Sequence, residues 1–181
     1  GEVHSLLSSL SLSFGKENYE SDLLKPLNLS RLLDRNLEDL SGGELQRVAI
    51  AACLSRNAQV YLLDEPSAYL DVEERLTVAR LLRRLAEERG AFVFVAEHDL
   101  VTQDFASDRL MVFDGDAGVH GRANAPMPLR EGMNSFLSLM GMTFRRDPDS
   151  GRPRVNKAES RLDRLQKEMG EYYYVPATSQ D

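Results

Sequence analysis

The sequence has one cysteine, Cys53, so an internal disulfide is excluded and a reducing compartment is the simpler setting. No apolar run approaches the ~18 residues that a membrane span needs. The opening Gly1-Glu2-Val3-His4-Ser5 lacks the charged-then-apolar build of a secretory signal. Positive charge is in deficit: 22 Lys and Arg stand against 29 Asp and Glu, a net charge of −7. Bulk binding to a polyanion is therefore disfavoured, and any nucleic-acid contact must come from a local patch. No internal repeat is visible. What remains is an ordinary globular composition, 42% hydrophobic and 28% charged over 181 residues, enough for one domain with a core and short for two.

Residues 1 to 40 are mostly helical in pattern, with breaks expected at Phe14-Gly15-Lys16 and Lys25-Pro26 and with Leu29, Leu32, Leu33 and Leu37 at helical spacing. Ser41-Gly42-Gly43-Glu44 opens a further helix with a capping-box pattern and an expected buried stripe of Leu45, Val48, Ala49, Ala52 and Cys53. Val60 to Leu63 reads as a buried strand that delivers Asp64-Glu65-Pro66 at its end. Asp71 caps a helix over 72–89, with Leu76, Ala79, Leu82 and Leu85 inward and Gly90 placed to end it. Ala91 to Ala96 is a second buried strand, followed by Glu97-His98-Asp99, a helix over 100–106 and a third strand over 110–113. Alternating strands and helices predict an α/β fold of parallel βαβ units. From 114 to 128 a loop or short hairpin is expected, then a short helix over 131–142.

Parallel sheets place ligands at the carboxyl ends of their strands, where Asp64, Glu65 and His98 all fall. An acidic pair there suits Mg²⁺ and an attacking water, and a nearby histidine can meet a terminal phosphate. A plain strand-end turn and a helix-start histidine are the alternative. Two glycines at a helix start let backbone amides approach an anion, and an ordinary capped helix explains the same residues.

In order and spacing, Leu40-Ser41-Gly42-Gly43-Glu44-Leu45-Gln46-Arg47, Tyr61-Leu62-Leu63-Asp64-Glu65-Pro66, Ser67-Ala68-Tyr69-Leu70-Asp71 and Glu97-His98-Asp99 resemble the signature, Walker B strand, D-loop and switch histidine of the ABC-type ATPase cassette. Pro66-Ser67-Ala68-Tyr69-Leu70-Asp71, with Phe144-Arg145-Arg146-Asp147-Pro148, Arg152-Pro153-Arg154-Val155-Asn156-Lys157 and Gly170-Glu171-Tyr172-Tyr173-Tyr174, narrows the resemblance. It points to the soluble twin-cassette ATPases of ribosome recycling, the RNase L inhibitor family.

That resemblance implies a partial P-loop NTPase-type cassette over 1–142, with a helical signature region to about 58 and an α/β core from 59 to 115. A basic, hinge-like segment over 143–175 and a frayed tail over 176–181 complete it. The family's phosphate loop, Gly-x-x-x-x-Gly-Lys-Ser/Thr, is absent: at the one Gly-Lys pair, Gly15-Lys16, the first glycine is replaced by Leu10 and the hydroxyl residue by Glu17. The chain thus reads as the half-cassette downstream of the phosphate-loop strand, the C-terminal part of a second cassette. Iron–sulfur clusters are expected only in the missing N-terminal region.

By the same resemblance, Asp64 holds Mg²⁺, Glu65 activates water and His98 senses the γ-phosphate of ATP. Ser41, Gly42, Gly43 and Glu44 face the ATP of the opposite cassette, and Asp71 lies near the dimer interface. The implied protein is a cytoplasmic ATPase that couples ATP hydrolysis to splitting of ribosomal subunits. Its implied partners are the other cassette, the small ribosomal subunit and release or recycling factors, with no membrane. The basic segment either contacts rRNA or braces the two cassettes. A non-catalytic interaction module and a transporter's nucleotide-binding subunit are the other readings of the same residues.

Overall fold

A computed structural model describes residues 1–10, 19–147 and 153–174. The expected break at Phe14-Gly15-Lys16, the residues Pro148, Arg152 and Val175, and the tail over 176–181 lie outside the described residues. The chain forms two compact units, Gly1–Ala106 and Ser107–Asp181.

In the first unit, helix α1 (Val3–Leu10) is followed by a π-helical turn at Glu20–Leu24 and single 3-10 turns at Ser30–Leu32 and Leu37–Asp39. The continuous helix implied by Leu29 to Leu37 is not formed. Pro26 lacks an amide donor and Asn28 is left-handed at φ 53°, so the chain advances in short turns, with Leu29 and Leu32 still buried. Helix α2 (Gly42–Leu54) begins at a complete capping box of Ser41 and Glu44. Its inward face carries Arg47, Val48, Ile50, Ala51 and Leu54; of the expected stripe, Val48 is buried and Ala52 and Cys53 pack against the core, whereas Leu45 and Ala49 are exposed.

Strand β1 (Val60–Asp64) pairs in parallel with β2 (Phe92–Ala96) across helix α3 (Val72–Arg89), and helix α4 (Leu100–Ala106) packs on α3. This is the expected βαβ unit. Helix α3 starts at the Asp71–Glu74 capping box and ends at Gly90, left-handed at φ 60° as its C-terminal position requires. Neither strand is buried on both faces. Tyr61 faces the core, while Val60, Leu62, Phe92 and Phe94 alternate onto an open face.

The second unit corrects the expected third parallel strand. Strand β3 (Arg109–Leu110) pairs antiparallel with β6 (Met127–Pro128), and β4 (Phe113–Asp116) forms a hairpin with β5 (His120–Ala123). Helix α5 (Leu129–Leu139) packs so closely that a Cβ on Gly132 would lie 2.6 Å from Leu110 Cβ. The basic segment folds as β7 (Phe144–Arg146), β8 (Pro153–Val155), helix α6 (Arg161–Glu168) and β9 (Tyr173–Tyr174), a three-stranded sheet in the order β8-β7-β9. Within this unit Asn134 of α5 donates to Gly170 O and accepts from Tyr173 N, tying α5 to the sheet. Among the described residues no helix is long and apolar enough to cross a membrane.

Candidate functional site

The parallel pairing sets Asp64 beside Ala96, so the residues that follow each strand emerge together. Glu65 donates its backbone N–H to Ala96 O at 2.8 Å and turns the chain sharply at φ 44°, a left-handed conformation that costs a side-chain-bearing residue about 1–2 kcal/mol. The turn aims its carboxylate at the loop after β2, where Glu65 Oε1 lies 3.5 Å from His98 Nδ1. Both side chains are more than half exposed, open to a ligand. The structure thus brings Glu65 and His98 together across 33 residues of sequence.

Asp64 is exposed one residue earlier, with no side-chain partner among the described residues. Among those residues no group of three or more His, Cys, Asp or Glu side chains could enclose a metal. A single hard carboxylate fits Mg²⁺, which takes one or two protein oxygens and fills its shell with phosphate and water.

Two braces at this site escaped the sequence reading. The Glu97 carboxylate, 2% exposed, accepts from His98 N at 2.9 Å and Asp99 N at 3.0 Å through Oε1, and from Ser67 N at 3.4 Å through Oε2. Gln46 of α2 donates through Nε2 to Glu65 O at 3.3 Å and Pro66 O at 3.2 Å. Glu97 directly precedes His98 in sequence, but its partner Ser67 is 30 residues away and no spacing rule marks such a pair. Asp99 in turn caps α4 through Thr102 N and pairs with Arg75 at 3.0 Å.

At the start of α2, Ser41 Oγ accepts from Glu44 N while Glu44 Oε2 accepts from Ser41 N and Oγ. Those bonds, the backbone one foremost, hold the Glu44 carboxyl below the usual range, and Arg35 at 3.1 Å adds to them. Gly42 faces the Tyr69 ring, and a Cβ on Gly43 would stand 2.9 Å from Tyr69 O. Tyr69 is itself left-handed at φ 61° and 80% exposed. Asp71 is the N-cap of α3, and its partner Glu74 also pairs at 3.2 Å with the buried Arg47, which donates to Leu27 O. Cys53 is half-buried in the core and burial pushes its thiol pKa up, in keeping with a packing role.

An ABC transporter family model matches residues 7–68. The chain is 56% identical over 97% of its length to an uncharacterized ABC transporter ATP-binding protein of Methanocaldococcus jannaschii, and 42% identical over 97% to translation initiation factor RLI1 of Chaetomium thermophilum. It covers 29% of each relative, so it spans under a third of their length. Among solved structures, it matches the archaeal ribosome recycling factor aABCE1 in complex with ribosomal stalk protein aP1 at 58% identity and a TM-score of 0.88. That match takes in 96% of this chain and 34% of the other. The ABCE1 of a ribosome-bound archaeal Pelota and ABCE1 model matches at 60% identity and 0.90, over 96% and 30%. The chain belongs with the RNase L inhibitor family of ABC-type ATPases. Its α/β fold is that of an ABC cassette.

Proposed function

We propose that the chain is the part of a second ABC cassette downstream of the phosphate loop, in a twin-cassette ATPase that couples ATP hydrolysis to separation of ribosomal subunits. The Glu65–His98 approach at 3.5 Å at the ends of two parallel strands carries this reading. A carboxylate so placed can take a proton from an attacking water, and an imidazole beside it can donate to a γ-phosphate oxygen. Asp64 would supply one oxygen to Mg²⁺, which neutralises developing phosphate charge. The exposed Gly42 amide region and Ser41 would meet ATP held by the opposite cassette, with Asp71 and Tyr69 at that interface. Likeness to RLI1 and to ABCE1 structures named with stalk protein and Pelota supports the ribosome as partner.

The basic segment then acts as a brace between cassettes. Arg145 is engaged with Asn156 at 3.0 Å and Lys167 with Asp163 at 2.9 Å, as expected of a structural element. Arg154, Lys157, Arg161 and Arg164 are exposed and form the surface that an rRNA contact would use.

Replacing Glu65 with Gln keeps shape and removes the base. In the full-length protein E65Q should lower ATP turnover by about 10²-fold or more while ATP still binds. Unchanged turnover, under conditions where this site limits the rate, would leave the chain as a non-catalytic interaction module.

A further inference from the structure

Glu65 and His98 belong to separate loops, and the short approach between them is only as exact as the tie between those loops. Besides the Glu65 N–H bond to Ala96 O and the Arg75 bridge from Leu70 O to Asp99, the Glu97 side chain is such a tie, and it is the one that reaches the turn right after Glu65. One oxygen is satisfied by the two amides of its own loop, His98 N and Asp99 N, and the other reaches Ser67 N, two residues after Glu65. From the other side, the Gln46 amide grips the carbonyls of Glu65 and Pro66. The gripped turn has one backbone bond of its own at Glu65, from Ala68 N to Glu65 O at 3.0 Å, set against a left-handed conformation that the Glu65 side chain disfavours.

The chemistry of Glu97 fits the task. An ionised carboxylate only accepts, and its two oxygens can serve three N–H donors at once. Burying it at 2% exposure is costly unless those donors are present, so a staple needed for stability alone would be better made from an apolar side chain. We propose that Glu97 and Gln46 are positioning residues that clamp the Glu65–Ser67 turn from two sides and thereby fix Glu65 against His98 for ATP hydrolysis. This rests on the proposed role of Glu65.

Glu97→Gln separates the tie from the rest. Its carbonyl oxygen can keep His98 N and Asp99 N, while its NH₂ group meets the Ser67 N–H, donor against donor. In the full-length protein, E97Q and Q46M should each lower kcat about ten-fold, with KM for ATP within about two-fold of the parent. Amide hydrogen exchange in E97Q should speed up at Ser67 and stay slow at His98 and Asp99. Parental kcat in E97Q with Ser67 exchange accelerated would overturn the clamp, as would a fall in kcat/KM carried by KM. If E97Q does not fold, Q46M alone decides, since its side chain lies outside the buried carboxylate site. E65Q run alongside separates the two levels. If E65Q keeps turnover, the reading of the site fails. If E65Q loses turnover while E97Q and Q46M keep it, only the clamp fails.

Discussion

At Gly43 the limit on side-chain size comes from a backbone atom, Tyr69 O, 2.9 Å from where a Cβ would stand. A flexible side chain could swing aside, but this carbonyl belongs to a turn gripped by its neighbours. Alanine in a helix is worth up to about 1 kcal/mol over glycine, and overpacking costs about 1–3 kcal/mol, so the clash wins. Gly42 faces the Tyr69 ring at 3.6 Å, an ordinary contact. Urea unfolding followed by circular dichroism should therefore find G43A destabilised by about 1–2 kcal/mol and G42A within about 0.5 kcal/mol of the parent. Equal effects would show that the Tyr69 contact is not what requires glycine. The two capping boxes were legible because each partner sits three residues away, a spacing that the helix itself dictates. The Glu97–Ser67 tie was not, because tertiary structure alone brings those residues together.

Among elements, the βαβ unit from Val60 to Ala96 was readable from apolar runs separated by one capped helix, and so was the meeting of Glu65 with His98. The partner of Leu110 was not. A strand of two residues carries no periodic signal, and its pairing with Met127 depends on how closely Gly132 lets α5 approach. In α2 the many small residues blurred the phase, and Arg47 turned inward because Leu27 O and Glu74 accept its guanidinium. The charge pattern of the basic segment does not show that it is organised around a buried acid. The Asp163 carboxylate accepts from Thr143 Oγ1 at 2.6 Å, Glu159 N at 3.0 Å and Lys167 Nζ at 2.9 Å. Beside it Asn156 bonds to Thr143 and Gln166. The Thr143 bond foremost, then Lys167, holds the Asp163 carboxyl below its usual range. A native pKa below the unfolded one means that the unfolded chain takes up the proton first as pH falls. The stabilisation is complete above the unfolded value near ~3.9 and is lost as pH drops through the lower native value. D163N should therefore lower the melting temperature at pH 7 and flatten its fall below about pH 4, read by near-ultraviolet circular dichroism of the stacked Phe144–Tyr173 pair. A parallel acid limb in D163N and parent would assign the acid sensitivity to other carboxylates.

For the molecule as a whole, the open face of the β1–β2 pair is the largest departure from what the sequence implied. Continuous runs such as Val60-Tyr61-Leu62-Leu63 belong to strands covered on both sides. Here Leu62 is 74% and Phe92 69% exposed, with Phe94 beside Leu62 in register. A contiguous apolar face of this kind promotes association, and the net charge of −7 opposes it only through long-range repulsion that salt screens. Under the proposed function, the rest of the cassette covers this face in the full-length protein. One substitution then has opposite consequences in two settings. In the 181-residue chain F94K should reduce self-association in sedimentation velocity without loss of helical circular dichroism, because it places a solvated charge on an exposed face. In the full-length protein F94K should instead destabilise by about 2–4 kcal/mol, because the same charge would be buried without a partner. The same sign in both settings would mean that nothing packs on this face, and the half-cassette reading would lose its main structural consequence.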